Sequence, residues 1–316
     1  MLFFGGKGGV GKTTLASATA VLFADRGERT LLVSTDPAHS TSDALGARLG
    51  SDPTQVSPSL WAAEIDPAEA ADHYIAEVKA RIAETTPPRL AAEVERQIDI
   101  ARVSPGAEEA ALFDRFTRFM ADAGARYDHV VFDTAPLGHT LRLMALPEQL
   151  TAWIAGLIGR RRRLGVVQRM WRNVAGAAAG SEPSDADPVL AALEERKTRF
   201  AAARATVTDC QRAAFIFVVT PEWLPVVETD RAVQTLRRYG IPVGAVLVNR
   251  VVPDEADGAF VARLRRDQAA MRAEIVSRFA AVPVKEIPLL ERDVRGPDEL
   301  QTLVSLLASD GSGGDG

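Results

Sequence analysis

The glycine-rich segment near the N-terminus is the feature that most constrains the fold of this chain. Residues 6–13 read G-K-G-G-V-G-K-T and match the pattern G-x-x-x-x-G-K-[ST], whose glycines let consecutive backbone N–H groups surround a phosphate. A short apolar run, residues 2–4, precedes the segment, and an Ala-rich segment, residues 13–26, follows it. We therefore predict a nucleotide-phosphate site between a first strand and a first helix, with Lys12 on the β- and γ-phosphates and Thr13 on Mg²⁺.

Short apolar runs recur along the chain, and each is too short to form a helix. Runs that are apolar at nearly every position are typical of strands buried on both faces of a parallel sheet. Longer segments rich in Ala, Glu and Arg lie between them and are interpreted as helices. The alternation predicts a doubly wound, mostly parallel α/β sheet. The predicted strands are residues 2–4, 30–34, 129–132, 214–219, 245–248 and 282–287, and the predicted helices include 13–26, 107–125, 190–205 and 226–239.

Two regions depart from this alternation, at about 66–125 and about 147–204. Both are predominantly helical by composition, and together they predict an α-helical insertion subdomain on the sheet. The last residues, 309–316, contain Ser, Asp and Gly without apolar side chains, so we expect a disordered tail.

Composition and charge exclude several classes of function. The 316 residues carry a formal net charge of -5, which argues against the broad basic surface needed for nucleic-acid binding. Cys210 is the single cysteine, which excludes an intrachain disulfide or a multi-cysteine metal site within one chain. We interpret it as a small buried side chain before the strand at 214–219. No signal peptide is recognisable and no apolar run reaches the roughly 20 residues of a membrane span, so a soluble cytoplasmic protein is expected.

Two carboxylates follow predicted strands, Asp36 after residues 30–34 and Asp133 after residues 129–132. The carboxyl ends of parallel strands are where ligands bind in open α/β sheets. We predict that Asp36 orients the attacking water and that Asp133 holds the Mg²⁺ shell, directly or through water. An alternative for Asp36 is a helix N-cap. For His39 and His139, two roles remain open: a direct role in the chemistry, or a hydrogen bond within the loop that contains each residue.

Several segments together resemble a known family. Lys7 within G-K-G-G-V-G-K-T-T resembles the signature lysine of the deviant Walker A group of P-loop ATPases. The strings D-P-A-H-S at 36–40 and D-T-A-P-L-G-H-T-L-R at 133–142 resemble switch I and switch II of the ArsA family. That family includes arsenite-pump ATPases and targeting ATPases for tail-anchored membrane proteins. Further similar segments are T-P-E-W at 220–223, V-N-R at 248–250, P-L-L at 288–290 and V-R-G at 294–296.

The resemblance spans nearly the whole chain and implies ATP and Mg²⁺ as ligands of a homodimeric ATPase. It implies one ATPase domain over 1–308, because a single P-loop motif is present. In the group, the lysine matched by Lys7 reaches the partner subunit's nucleotide, which implies a catalytic role for Lys7. Together with Lys12 and Asp36, it completes the set of predicted catalytic residues. The implied ATP-binding residues are Gly6, Lys7, Gly8, Gly9, Val10, Gly11, Lys12, Thr13, Thr14, Asn249, Pro288 and Leu289. The implied switch residues are Asp36, Pro37, Ala38, His39, Ser40, Asp133, Thr134, Ala135, Pro136, Gly138 and His139.

The sequence departs from the family at both of its metal sites. Arsenite-pump ATPases bind the metalloid through several cysteine thiolates, whereas this chain has Cys210 alone. Many eukaryotic targeting ATPases hold zinc between subunits with a C-x-x-C pair. The chain reads R-V-V-P-D-E-A-D at 250–257 instead, so no zinc site is predicted.

Apolar residues recur at helical spacing on both sides of four arginines at 160–163. They include Trp153, Leu157, Met170 and Trp171, the predicted client groove for a hydrophobic transmembrane segment. The alternative is that these apolar residues pack within the core of their own subunit. The four arginines either form a solvated helix end or contact a membrane surface or a partner. Three couplings of the ATPase stay open: handling of a membrane-protein segment, driving a membrane pump subunit for arsenite or another anion, and a scaffold like MinD or ParA.

Overall fold

In a computed structural model of the chain, residues 1–35, 40–83, 107–134 and 188–309 are described. Their strands form one eight-stranded sheet in the order β3-β4-β2-β5-β1-β6-β7-β8, in which only the β3–β4 pair is antiparallel. The strands are β1 Leu2–Gly5, β2 Thr30–Ser34, β3 Thr54–Ser57, β4 Leu60–Glu64, β5 His129–Asp133, β6 Ala214–Val219, β7 Val243–Val251 and β8 Val284–Pro288.

Helices occupy most of the connections between these strands. The described helices are α1 Lys12–Asp25, α2 Ser40–Leu45, α3 Pro67–Ala83, α4 Ala107–Asp122, α5 Pro188–Val207, α6 Trp223–Arg238, α7 Ala259–Arg278 and α8 Pro297–Ala308. Across the described segments, no helix combines the length and apolar character needed to traverse a bilayer. The predicted doubly wound, mostly parallel α/β fold is confirmed.

The sequence interpretation missed the hairpin of β3 and β4. Strand β3 is largely exposed and forms the edge of the sheet, where it pairs with β4 alone among the described strands. Its residues 54–57 therefore carry no apolar run. Strand β4 is buried, but its Leu-Trp-Ala-Ala-Glu sequence has the composition of a helix and lacks β-branched residues. Pairing with β2 in a parallel register outweighs that local preference.

Three phenylalanines form a ladder across the centre of the sheet. Phe3 of β1 is opposite Phe132 of β5 on one side and Phe215 of β6 on the other. The Phe3 ring centroid lies 4.9 Å from that of Phe132 and 5.0 Å from that of Phe215, and both pairs are stacked. Each ring is essentially inaccessible to solvent. The strand that leads into the glycine-rich loop is therefore fixed by large apolar contacts with both neighbours.

Helix α1 is apolar around most of its circumference, as expected for a helix that is covered on more than one side. Its buried residues include Leu15, Ala16, Ser17, Ala18 and Ala20. It packs against β5 and β2 of the sheet and against α2 and α8. Small side chains at most of these positions allow the close approach. The first turn of α1 is thereby held rigidly at the carboxyl end of β1.

The chain divides into two compact units. The first comprises Met1–Asp66, Phe119–Arg142 and Ala205–Gly316 and contains the sheet; the second comprises Pro67–Arg118 and Leu143–Arg204. The predicted single ATPase domain over 1–308, its insertions at about 66–125 and 147–204, and the tail at 309–316 stay predictions. Residues 84–106, 135–187 and 310–316 lie outside the described residues.

A buried carboxylate organises the described helices of the second unit. Asp114 of α4 is 3% exposed and accepts hydrogen bonds from Arg118, at 3.0 Å, and from Arg199 of α5. Arg118 also donates to Glu77 of α3 at 3.0 and 2.6 Å. Ion pairs therefore link all three helices: Arg118 of α4 connects Asp114 with Glu77 of α3, and Asp114 pairs with Arg199 of α5. The two arginines supply the opposite charge that the buried carboxylate of Asp114 requires.

Cys210 corrects one expectation from the sequence. Its side chain is exposed rather than buried. It lies in a turn between α5 and β6, where the backbone oxygen of Asp209 accepts hydrogen bonds from the N–H groups of Arg212 and Ala213. The apolar run begins only at Ala213, so the cysteine precedes the segment that enters the core.

Phe3→Ala tests the central ladder. Removing a ring that is stacked on two others should lower the free energy of unfolding by about 3–5 kcal/mol. The matched control is Phe260→Ala, because Phe260 is 69% exposed and its loss should change the free energy by less than about 0.5 kcal/mol. Urea unfolding followed by circular dichroism measures both, and equal effects would contradict the ladder as a source of stability.

Candidate functional site

The glycine-rich loop depends on two glycines that other residues cannot replace. Gly6 has φ +154°, and a Cβ there would lie 2.3 Å from the backbone oxygen of Val218 in β6. Gly11 has φ +95°, and a Cβ there would lie 2.3 Å from Nδ2 of Asn249 in β7. Both distances are far below a van der Waals contact. The loop therefore packs on the backbone of β6 at Gly6 and on the Asn249 side chain at Gly11, and its positive φ angles favour glycine at both positions.

Lys12, the first residue of α1, is buried at 4% exposure. Its ammonium Nζ donates to the backbone oxygen of Lys7 at 3.2 Å, which closes the loop on itself. Within the described parts of the chain, this neutral oxygen is the one hydrogen-bond acceptor that Lys12 contacts. A buried ammonium in such surroundings favours the approach of an anion, because burial of an unmatched charge costs free energy. Lys7 itself is half-buried, and Gly8 and Gly9 are exposed.

Thr13, Ser34, Ser40 and Asp133 meet at the carboxyl edge of the sheet. The hydroxyl of Thr13 donates to Oδ2 of Asp133 at 2.6 Å, and that of Ser34 donates to the same oxygen at 3.2 Å. Ser40 Oγ lies 3.2 Å from Thr13 Oγ1. Asp133 is fully buried. Two residues that the sequence assigned to Mg²⁺ from segments 120 positions apart are thus in direct contact.

Thr134 anchors the chain directly after Asp133. Its hydroxyl donates to the backbone oxygen of Phe4 in β1 at 2.6 Å, and its backbone N–H donates to the same oxygen at 3.2 Å. The two bonds hold the end of β5 against the strand that leads into the glycine-rich loop.

A cavity of about 790 Å³ extends from the loop to the segment after β8. Asn249 stands at its junction with the loop, where Nδ2 donates to the backbone oxygen of Val10 at 2.8 Å. The volume lies within the range of small-molecule and cofactor sites. The predicted ATP-binding residues along its wall are Gly11, Thr13, Thr14, Asn249, Pro288 and Leu289, joined by Ser40 and the segment Arg292–Gly296. The structure therefore places these six predicted residues on one cavity, whereas the other predicted ATP-binding residues, Gly6, Lys7, Gly8, Gly9, Val10 and Lys12, do not line it.

The end of β7 is irregular where it lines this cavity. Arg250 has φ +61°, and the pairing with β8 shifts register between Val248 and Val251. Gln268 of α7 secures the irregular turn, because its Nε2 donates to the oxygen of Arg250 at 3.2 Å and its Oε1 accepts from the N–H of Val252 at 2.8 Å. A non-glycine residue held in the left-handed region beside a cavity is typical of ligand sites.

Several predicted site residues lie outside the described residues. They are Asp36, Pro37, Ala38 and His39 of the first switch, Ala135, Pro136, Gly138 and His139 of the second, and Trp153, Leu157, Met170 and Trp171 of the predicted groove. The sequence analysis, in turn, did not select Glu64, Ser42 or Gln268. The signal for Glu64 was present as a carboxylate that ends an apolar run at 60–63, but that run was not recognised as a strand.

The cluster around Thr13 has the chemistry of a magnesium site that is completed by a nucleotide. It supplies a hydroxyl and a carboxylate, which are hard oxygen ligands, and Mg²⁺ in such sites takes its remaining ligands from phosphate and water. Among the described residues, no group of three or more His, Cys, Asp or Glu side chains is placed to hold a metal ion by itself.

Comparison with known proteins agrees with this geometry. The family model described as "Anion-transporting ATPase" (ArsA_ATPase) matches residues 1–309. A "Putative arsenical pump-driving ATPase 2" of Aquifex aeolicus is 33% identical over 307 residues, covering 97% of this chain and 98% of the relative. An "ATPase GET3" of Malassezia globosa is 32% identical over 311 residues, covering 97% and 90%.

A "Putative arsenical pump-driving ATPase" of Halobacterium salinarum is 34% identical over 308 residues, which cover 95% of this chain but 43% of the relative. The chain thus matches less than half of that longer protein and nearly the full length of the other two. The match over residues 1–309 shows that the chain belongs to the ArsA family of anion-transporting ATPases.

Proposed function

We propose that the protein hydrolyses ATP with Mg²⁺ at the cavity that begins at the glycine-rich loop. The observation that carries this proposal is the contact of Thr13 with Asp133 at 2.6 Å, in the helical turn that begins at the buried Lys12. A hydroxyl, a carboxylate and an ammonium at one helix N-terminus match the charges of a magnesium-bound triphosphate.

Each residue has a distinct role in the proposed reaction. Lys12 and the loop N–H groups stabilise negative charge on the transferred phosphoryl group. Thr13 and Asp133 would hold Mg²⁺, Asp133 directly or through water, and the ion would supply positive charge to the phosphate oxygens. Asp36 orients the attacking water, in keeping with its position after β2. The adenosine would lie toward Asn249, Pro288 and Leu289, at the end of the cavity away from Thr13.

The Lys12→Ala variant tests the phosphate site. Loss of a charge-assisted contact should weaken ATP binding by roughly tenfold to a hundredfold and should reduce hydrolysis accordingly. Titration with a fluorescent ATP analogue measures the affinity, and phosphate release measures turnover. Lys197→Ala is the control, because Lys197 is an exposed lysine of the second unit. Unchanged binding in Lys12→Ala would contradict the proposed site.

We further propose that the protein works as a homodimer in which Lys7 contacts the partner's nucleotide. The half-buried position of Lys7 in the loop is compatible with this role, and the resemblance to the deviant Walker A group supports it. Hydrolysis would release the segments after Asp36 and Asp133 and thereby change the geometry of the helical unit.

Mixed dimers test whether Lys7 acts across subunits. Lys7→Ala and Lys12→Ala should each hydrolyse ATP much more slowly than the wild type, whereas their mixture should regain part of the wild-type rate. A mixed dimer has one site with both lysines intact, because the two lysines of a site come from different subunits. No recovery after confirmed subunit exchange would show that Lys7 does not act in trans.

For the coupled process, we propose the handling of a hydrophobic membrane-protein segment by the helical unit, in the cytoplasm or at the membrane surface. The likeness to "ATPase GET3" supports this candidate. The likeness to "arsenical pump-driving ATPase" supports a second, a subunit that drives a membrane pump for arsenite or another anion. The exposed position of Cys210 leaves its thiol accessible, but a single thiol does not form the multi-thiolate site of arsenite-binding relatives.

ATP turnover measured with a detergent-solubilised transmembrane peptide and, separately, with arsenite distinguishes the two candidates. Segment handling predicts stimulation by the peptide and its loss when Trp153 and Leu157 are both replaced by Glu. Val276→Glu is the control, because Val276 is a 54% exposed apolar residue of the sheet unit. Stimulation by arsenite alone, abolished in Cys210→Ser, would contradict segment handling and favour the pump subunit.

A further inference from the structure

Glu64 is a buried carboxylate at the carboxyl edge of the sheet that the proposed reaction does not use. It ends β4, where it is opposite Ser34 of β2, and Ser34 is in turn opposite Asp133 of β5. The three residues therefore stand side by side on adjacent strands. Glu64 is 4% exposed. A carboxylate that is buried this deeply requires strong hydrogen bonds, so its donors indicate what it holds in place.

Two of the hydrogen bonds that Glu64 accepts come from one residue of α2. Its Oε1 accepts from the backbone N–H of Ser42 at 2.9 Å, and its Oε2 accepts from the hydroxyl of Ser42 at 2.7 Å. Ser42 is in the first turn of the helix, where backbone N–H groups have no partner within the helix itself. Glu64 supplies that partner from a neighbouring strand, with the added strength of an ionised acceptor.

The same turn of α2 reaches the proposed magnesium site. Ser40 precedes Ser42 by two residues, and its Oγ lies 3.2 Å from Oγ1 of Thr13. Thr13 donates to Asp133. The first turn of α2 is thus attached at one end to Glu64 and at the other to Thr13. Because a helical turn is rigid, fixing Ser42 also fixes the hydroxyl of Ser40 relative to Thr13.

We propose that Glu64 is a positioning residue of the phosphate site, which holds the first turn of α2 so that Ser40 stays against Thr13. Glu64 acts through Ser42 and is not among the described residues that line the cavity. The inference rests on the proposed ATPase activity. Misplacement of a turn beside the reacting phosphate is expected to slow the chemical step more than it weakens ATP binding, since most binding contacts come from the glycine-rich loop.

The test compares Glu64→Ala, Glu64→Gln and Ser42→Ala with Thr41→Val. Thr41 is the matched control because it lies in the same helix and is fully buried, and its hydroxyl has no hydrogen-bond partner among the described residues. The kcat and KM for ATP are measured for each variant. Hydrogen exchange of the α2 amides is measured in the nucleotide-free protein, so that the position of the turn is assessed without turnover.

Glu64→Ala should lower kcat by roughly tenfold to a hundredfold while KM changes by less than about threefold. Its α2 amides should exchange faster than those of the wild type. Ser42→Ala should show a smaller loss of kcat, Glu64→Gln should recover most of the rate because it retains an acceptor for the Ser42 N–H, and Thr41→Val should match the wild type.

Equal kcat in Ser42→Ala and Thr41→Val, together with unchanged exchange in Glu64→Ala, would overturn the positioning role. Should Glu64→Ala fail to fold, Ser42→Ala and Glu64→Gln carry the test, because both preserve most of the volume at the site. A wild-type protein without ATP hydrolysis would contradict the proposed function instead. The exchange measurement on α2 would still report on Glu64.

Discussion

The hydrogen bond between Thr13 and Asp133 is the contact on which the rest of the site depends. It joins the first turn of α1 to the end of β5, two elements that are adjacent in the fold and distant in the sequence. The contact is short only because β1 lies directly between β5 and β6 and delivers the glycine-rich loop to the same edge. Gly6 and Gly11 make this delivery possible, since a side chain would collide with the backbone of β6 at Gly6 and with the Asn249 side chain at Gly11.

Parallel pairing extends the same alignment outward from the centre. Register places Asp133 beside Ser34 and Ser34 beside Glu64, so three adjacent strands end in oxygen-bearing side chains at one level. Asp133 accepts a hydrogen bond from the hydroxyl of Thr13 in α1, and Glu64 accepts one from the hydroxyl of Ser42 in α2. On the other side, β7 and the segment after β8 supply Asn249, Pro288 and Leu289 to the cavity wall. The apolar ladder of Phe3, Phe132 and Phe215 packs the three central strands against one another beneath this arrangement.

Much of this could be predicted from the sequence because the informative signals are local. The glycine spacing identifies the loop, and uninterrupted apolar runs identify the buried parallel strands. Strand β4 was missed because its alanines favour a helix and its strand conformation depends on pairing with β2. Glu64 was missed for the same reason, since a carboxylate can be assigned to the sheet edge only once its strand is known. Cys210 was predicted to be buried because a single cysteine just before an apolar strand usually behaves as a small apolar side chain, whereas burial begins only at Ala213.

Electron paramagnetic resonance with Mn²⁺ in place of Mg²⁺ tests the proposed site most directly. If Thr13 and Asp133 hold the cation together with a nucleotide, Mn²⁺ should bind with a slowly hydrolysed ATP analogue in equal amounts. Its spectrum should show coupling to phosphorus, and Thr13→Val should abolish this bound signal while the protein stays folded. Nucleotide binding that is indifferent to the cation, or a Mn²⁺ signal that is unchanged in Thr13→Val, would contradict the assignment.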